Sequence, residues 1–470
     1  MKTGSVVSVV IEKLSLGGDG IARLTPPGSK TSLVVFVPFS APGDRLKIAI
    51  VQFRKNFARG KILEILQPSK LRTLPPCPYY FTPDQPKACG GCNFQHLEDA
   101  AQSEIKVLAL RETLFKIAGL SPDIVLPMLA DPERRWRYRN KIQIPFRAGK
   151  GGEPIAGFFA PQSHEIVALD DCRIHSESVM RLVREVRLKV SEWGLQPYDE
   201  DAHRGWLRHL IVREDFATGE LLVTFVTKDD ALPRVKQWAE LFSRSFPKVV
   251  GFSHNVNPDR TNVIVGRTWN PVFGRNYLVE ILRGLGPEGA DLKLKVSAGS
   301  FFQVNTGAAE ILYRTARDFA LTEKKRGIAL DIYCGVGGIG LTLAPHFQNV
   351  VGVEETPSSI SDAKENMKLN GISNAEFVRS DAEAYLARYK GRADAVVIDP
   401  PRAGCSEPVL RKIIEASPGT VVYVSCEPST LARDLKILCD KKYDVLKIQP
   451  VDLFPQSAHI ESVTLLKRRS

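Results

Sequence analysis

Long apolar runs are missing from this 470-residue chain: none approaches the ~20 residues needed to cross a bilayer. The apolar stretch Val6–Ile11 near the start is cut off by Glu12 and Lys13, too short for the core of a signal peptide. The expected location is therefore cytoplasmic, with no membrane partner. Glycine and proline, 35 and 31 residues, are too few for a collagenous or disordered chain. Internal repeats and low-complexity segments are absent, which excludes solenoids and arrays. A disulfide framework is also excluded, because only eight cysteines are spread over a long chain without a secretory signal.

What is present is an ordinary globular composition with a basic excess. At ~100–200 residues per domain the length suggests about three domains. The net charge is +11, and residues 1–67 hold ten Lys or Arg against four Asp or Glu. A surplus concentrated in the first seventh of the chain points to a polyanionic partner, of which nucleic acid is the commonest.

Residues 5–66 read as short strands, Val6–Glu12, Ser32–Pro38, Arg45–Gln52 and Lys61–Leu66, separated by turns at Gly17–Gly20, Pro26-Pro27-Gly28 and Ala41-Pro42-Gly43. That spacing predicts a small all-β barrel. A linker at Leu74-Pro75-Pro76 follows, then a cysteine cluster and a helical stretch over Ser103–Ala118. Further on, strand-like runs at Leu221–Thr227 and Asn262–Val265 flank no repeat, and Ser178–Trp193 reads as a helix. From about residue 300, continuous apolar runs at Ile328–Tyr333, Val350–Val353, Ala395–Ile398 and Val421–Val424 alternate with helical spans. Runs of this kind are buried parallel strands. The fold class is α/β, with a C-terminal doubly wound, Rossmann-like domain at 296–470, a β-barrel at 1–68 and a mixed α+β domain at 69–295.

Gly335, Gly337 and Gly340 satisfy G-x-G-x-x-G after the first of these strands, and Glu354 ends the next one, suited to a ribose hydroxyl pair. A dinucleotide site or an empty strand–helix turn would both fit. Asp331 before the glycines, Asp381 after a third strand and Asp399-Pro400-Pro401 after a fourth move the reading to S-adenosylmethionine and a methyltransferase. Cys426, in Val424-Ser425-Cys426-Glu427-Pro428, falls at the carboxyl end of a strand, where open α/β sheets place ligands. A helix start beside it would favour the thiolate. Carbon 5 of uracil is too weak a nucleophile to take a methyl group directly. A thiolate adding to carbon 6 activates it, and a base must then remove the carbon-5 proton. Glu461, in His459-Ile460-Glu461, is a candidate for that base. Cys334, Cys405 and Cys439 read as buried core thiols.

Taken together these residues resemble the RNA (uracil-5-)methyltransferase family, in particular its iron–sulfur 23S rRNA branch, over nearly the whole chain. The barrel is similar to a TRAM domain. Phe301-Phe302-Gln303-Val304-Asn305 resembles the family's F-x-Q-x-N segment. Ser425-Cys426-Glu427-Pro428 resembles its S-C-N-P nucleophile motif with Glu in place of Asn, and His459-Ile460-Glu461 its H-x-E base. The resemblance implies a class I methyltransferase fold and S-adenosylmethionine contacts from Gln303, Tyr333, Glu354, Asp399 and Asp381. It also implies Cys426 as nucleophile and Glu461 as base. Gly338 stands where some members carry an Asn contact. Cys77, Cys89, Cys92 and Cys172 resemble the four ligands of a [4Fe-4S] cluster, although eleven residues separate Cys77 from Cys89 through an insertion at Thr82–Lys87. Their spacing alone also allows a zinc site.

Arg134-Arg135-Trp136-Arg137-Tyr138-Arg139-Asn140-Lys141 interleaves cations with aromatics, which suits phosphates and unpaired bases, or equally a solvated strand edge. The expected substrate is a loop uridine of 23S rRNA, methylated by a monomer. The alternatives are a tRNA T-loop uridine, or a non-catalytic RNA-binding assembly factor. No C-x3-C-x2-C run is present to support radical S-adenosylmethionine chemistry.

Overall fold

The structure is a computed structural model that describes residues 2–25, 31–85, 87–149 and 151–469. The turn expected at Pro26-Pro27-Gly28 lies outside the described residues. Near the N-terminus six strands form one sheet in the order Val6–Val10, Arg45–Phe53, Phe57–Gln67, Leu33–Val37, Gly20–Leu24, Lys13–Leu14. Alternation drives its packing: Leu46, Ile48 and Ile50 are buried, whereas Arg45, Lys47 and Val51 at the alternate positions face water. The basic surplus is therefore carried on the outside. The pairs Lys13–Leu14 and Gly20–Leu24 were not anticipated, because each is short and abuts the glycine turn at Gly17–Gly20.

The middle of the chain builds a seven-stranded sheet ordered Thr268–Gly274, Val249–Val256, Leu221–Thr227, Leu207–Glu214, Lys141–Ala148, Pro154–Phe159, Ile166–Ala168. Its core is continuous with that of the N-terminal sheet. The expected strand at Asn262–Val265 is not formed. These residues make bends, and the Asn257 side chain donates to the Val263 and Ile264 carbonyls. An Asn that satisfies the backbone this way competes with a strand ladder.

The C-terminal sheet runs Ala375–Arg379, Asn349–Glu354, Ile328–Ile332, Ala395–Ile398, Thr420–Ser425, Glu461–Arg468, Tyr443–Val451. The first five strands are parallel. The last strand of the chain, Glu461–Arg468, inserts antiparallel to both neighbours. This is the α/β doubly wound arrangement expected. The hairpin Tyr277–Leu282 and Leu292–Ser297 shares its apolar core with this sheet. Helix Asp99–Ala118 does likewise, burying Val107, Leu110 and Leu114 beside Leu431, Leu435 and Leu438. Among the described residues, no helix is long and apolar enough to cross a membrane.

Candidate active site

Strand direction brings the two candidate catalytic residues together. Thr420–Ser425 ends where the antiparallel Glu461–Arg468 begins, so Ser425 lies opposite Ser462, with Cys426 and Glu461 immediately adjoining. Both line one cleft of about 510 Å3, together with Gln303, Tyr333, Glu354, Asp381, Asp399 and Pro400-Pro401-Arg402. All seven residues anticipated for donor binding and catalysis thus share one cavity, at the carboxyl ends of the parallel strands.

The end of the cleft expected to take the donor is built from backbone and carboxylates. Asp331 is buried and accepts a 2.7 Å bond from the Gly340 N–H, locking the turn between the strand and the short helix Gly338–Leu343. Its carboxyl is pushed up to about 8 by burial, against the Gly340 bond and with Asp399 and Glu354 adding to the rise. Tyr333 leaves the strand at φ +67, a sparsely populated conformation for a non-glycine residue. The Gly335 N–H donates to Glu354 (3.2 Å) and the Thr356 N–H to its other oxygen (2.8 Å). These two bonds aim the carboxylate across the glycine turn. Gly338 has a reason of its own: a Cβ there would stand 2.7 Å from the Tyr313 ring, so no Asn contact can be made from that position. Asp381 caps helix Ala382–Arg388 by accepting from the Ala384 N–H at 3.0 Å, so one of its oxygens has a structural duty beside the cleft.

Gln303 is 7% exposed, and its carbonyl accepts from Asn140 at 2.9 Å. Asn305 caps helix Thr306–Ala320 through the Ala308 N–H, while Phe301 stays 67% exposed at the rim. The F-x-Q-x-N segment therefore divides into an open ring, a cleft-lining amide and a helix cap.

At the catalytic end, Glu461 is 4% exposed. Burial, with Asp399 adding to it, holds its carboxyl well above the usual range, and the Arg402 guanidinium opposes both. Burial pushes Asp399 up to about 7. Cys426 is half-buried, and its thiol is pushed up to about 11 by burial, then by Glu461 and Asp399, with Arg402 opposing. The expected lowering by the following helix, Pro428–Lys441, is thus outweighed by desolvation and two carboxylates. Glu427, in place of the family's Asn, caps that helix by accepting from the Ser429 N–H at 3.3 Å.

Arg402 and Tyr313 were not anticipated. Arg402 directly follows Asp399-Pro400-Pro401, and its proximity to the motif was the signal available. Tyr313 had none, since its helix reads as ordinary core. A thiol that must ionise makes the rate rise with pH. Single-turnover attack on RNA should increase by up to about tenfold per pH unit between about pH 7 and 9. Arg402→Gln removes the opposing positive charge, so the profile should shift to higher pH, as rapid-quench measurements across that range would register.

Cys77, Cys89, Cys92 and Cys172 line a second pocket with Tyr80, Phe158, Leu169 and Ile174. Thr82, Asp84 and Lys87 of the insertion are exposed, and the Cys89 N–H donates to the Tyr79 carbonyl at 2.8 Å. The insertion therefore leaves Cys77 at the pocket. Among the described residues, no three His, Cys, Asp or Glu side chains group closely enough to hold a metal ion. Of the remaining thiols, Cys334 and Cys405 are buried, as expected, and Cys439 is only half-buried.

The Arg134–Lys141 segment is not the open RNA face that its composition suggested. Arg135 pairs with Asp99 and Asp452, and Arg137 with Asp171. Tyr138 and Asn140 are buried. Arg134 lies over the Phe216 ring at 4.3 Å.

A doubly wound sheet carrying a carboxylate-lined donor cleft, with a thiol and a buried carboxylate at its far end, defines a class I S-adenosylmethionine-dependent methyltransferase. A sequence profile of the tRNA (Uracil-5-)-methyltransferase family matches residues 261–469, and one of the TRAM domain matches residues 1–63. An uncharacterized RNA methyltransferase of Halalkalibacterium halodurans is 39% identical over 99% of this chain and 97% of its own. One from Gloeobacter violaceus is 38% identical over 99% and 97%. The crystal structure of the Pyrococcus abyssi tRNA (uracil-54, C5)-methyltransferase with S-adenosyl-L-homocysteine superposes with a TM-score of 0.75. It is 27% identical and covers 98% of this chain and 100% of that one. The chain belongs to the RNA (uracil-5-)methyltransferase family: it is an RNA methyltransferase with an N-terminal TRAM domain.

Proposed function

We propose that the protein methylates carbon 5 of a uridine in 23S rRNA through a covalent Cys426 adduct. The observation that carries this reading is the shared cleft, where Cys426 and Glu461 adjoin across two antiparallel strands beyond the donor-lining carboxylates. Gln303, Tyr333, Glu354 and Asp399 would hold S-adenosylmethionine, with Asp381 at the adenine end, and the bound donor supplies an electrophilic methyl group. The Cys426 thiolate spends its electron pair on a bond to carbon 6 of the uracil; the displaced C5–C6 π pair then forms the bond from carbon 5 to the methyl carbon, and the pair of the broken sulfonium–methyl bond leaves on the sulfur of S-adenosylhomocysteine. Glu461 then takes the carbon-5 proton. The electrons left behind re-form the C5–C6 double bond and expel the thiolate. Placing the base in a dry position beside Asp399 makes it a strong proton acceptor once ionised. The target base must leave its stack to reach this depth, which favours a loop uridine.

The likeness to the Pyrococcus abyssi enzyme favours a second target, a tRNA uridine. Mapping of 5-methyluridine in 23S rRNA and tRNA from a deletion strain decides between them. Loss confined to 23S rRNA is expected, and loss confined to tRNA would reassign the substrate.

For the four-cysteine pocket the reading is a [4Fe-4S] cluster held by Cys77, Cys89, Cys92 and Cys172. A single zinc draws four sulfurs to about 2.3 Å from one point. These thiols line one pocket, and four converging sulfurs suit a cluster as well as a single zinc. The Gly91 N–H points to the Cys89 sulfur at 3.4 Å, as backbone donors do toward cluster thiolates. Anaerobically purified protein should be brown and carry about four irons per chain. Stoichiometric zinc without iron would contradict the assignment.

A further inference from the structure

The loop that leads into the catalytic strand is held from the cysteine pocket. Asn93 directly follows Cys92. Its N–H and that of Phe94 both donate to the Gln456 carbonyl, at 3.2 and 3.0 Å. The Asn93 carboxamide oxygen accepts from the Ala458 N–H at 2.8 Å, and its NH2 donates to the Gly17 carbonyl of the barrel at 3.0 Å. Gln456 sits at φ +68 and is buried, a conformation that persists only when its surroundings over-determine it. Gln102 completes the grip, bonding the Gln456 side chain at 2.9 Å and its N–H at 3.0 Å.

A second strap runs along residues 135–139. Arg137 pairs with Asp171 and donates to the Cys172 carbonyl at 2.7 Å. The next residue, Tyr138, donates its hydroxyl to the Pro455 carbonyl at 3.0 Å. Arg139 donates its N–H to the Ile174 carbonyl at 2.9 Å and sets its guanidinium 5.9 Å from the Phe454 ring. Consecutive residues thus touch the cysteine pocket and the catalytic loop in turn. The loop runs through His459 into Glu461, the first residue of the last strand and paired with Val451, so the loop fixes the free side of the base.

We propose that Asn93 and Tyr138 are positioning residues that couple order in the cysteine pocket to the placement of Glu461. The pocket acts as a latch on the catalytic loop rather than as part of the chemistry. The proposal rests on the reading of Glu461 as the elimination base, and two independent readouts separate them. In hydrogen–deuterium exchange of the full chain, Cys172→Ser and Asn93→Ala should each accelerate exchange in peptides covering residues 453–459 by about tenfold. Exchange in the strand Thr420–Ser425 should stay unchanged. With labelled donor and RNA, Asn93→Ala and Tyr138→Phe should accumulate the methylated covalent adduct, because a displaced base slows elimination after attack. Donor Kd should stay within about twofold, since the donor-lining residues are not clamped by these contacts. Asn93→Asp keeps the oxygen that receives the Ala458 N–H and should restore turnover.

Unchanged exchange at 453–459 in both Cys172→Ser and Asn93→Ala would overturn the latch, as would acceleration spread evenly over the whole chain. If Glu461→Gln accumulates adduct and Asn93→Ala does not, the latch is likewise overturned. If Glu461→Gln itself gives no adduct, the base assignment falls, and the exchange pattern alone then decides whether the pocket holds the loop.

Discussion

Cys426→Ala is expected to abolish methyl transfer, lowering single-turnover product by about 10^4-fold or more, as loss of a covalent nucleophile does elsewhere. The size follows from the substrate: carbon 5 of uracil is too weak a nucleophile to take the methyl group until sulfur has added to carbon 6. Nothing else in the cleft replaces that thiol. Cys334 lines the same cavity, but it lies at the donor turn, buried behind Gly335. Donor and RNA binding should survive in the variant, because Glu354, Asp399 and Gln303 are untouched. Equilibrium binding measured beside the quench assay separates lost chemistry from lost folding. A variant that still methylates at more than about a hundredth of the normal rate would mean that carbon 5 is activated without Cys426.

Glu461→Gln is expected to fail at a different step. The amide fills the same space and spares Cys426 the carboxylate that pushes its thiol up, so attack and methyl transfer should continue. Elimination should slow by about 10^2–10^4-fold, the usual contribution of a positioned general base. A protein–RNA species that survives denaturation and carries the donor's methyl label should therefore build up toward one per chain. The double variant with Cys426→Ala should show none. If Glu461→Gln turns over normally, the proton leaves by another route. If it binds both substrates and forms no adduct, Glu461 acts before methyl transfer.

Much of the methyltransferase domain was legible because buried parallel strands announce themselves as continuous Val/Ile runs, with the candidate site residues Asp331, Glu354, Asp399 and Cys426 at or just beside their carboxyl ends. The meeting of Cys426 with Glu461 was legible only through family likeness. Its physical cause is the antiparallel insertion of the last strand, which no local pattern encodes. Arg134–Lys141 shows the opposite case. Alternating cations and rings fit RNA as well as an internal strap, and the deciding partners, Asp99, Asp171 and Asp452, are 34 to 317 residues away for the pairs made by Arg137 and Arg135. Cys426 was read as activated by a helix start, whereas the carboxylates that oppose ionisation converge only in the folded cleft. Helix Asp99–Ala118 gave no sign that it packs on the far domain, since a buried face does not name what covers it.

The measurement that bears most directly on the whole account is a peptide map of the species trapped with Glu461→Gln, donor and uridine-bearing RNA. After nuclease and protease digestion, mass spectrometry should find one modified peptide, with Cys426 linked to a nucleotide that carries a single added methyl group. A cross-link at any other residue, or free 5-methyluridine formed at the normal rate with Cys426 unmodified throughout, would contradict it.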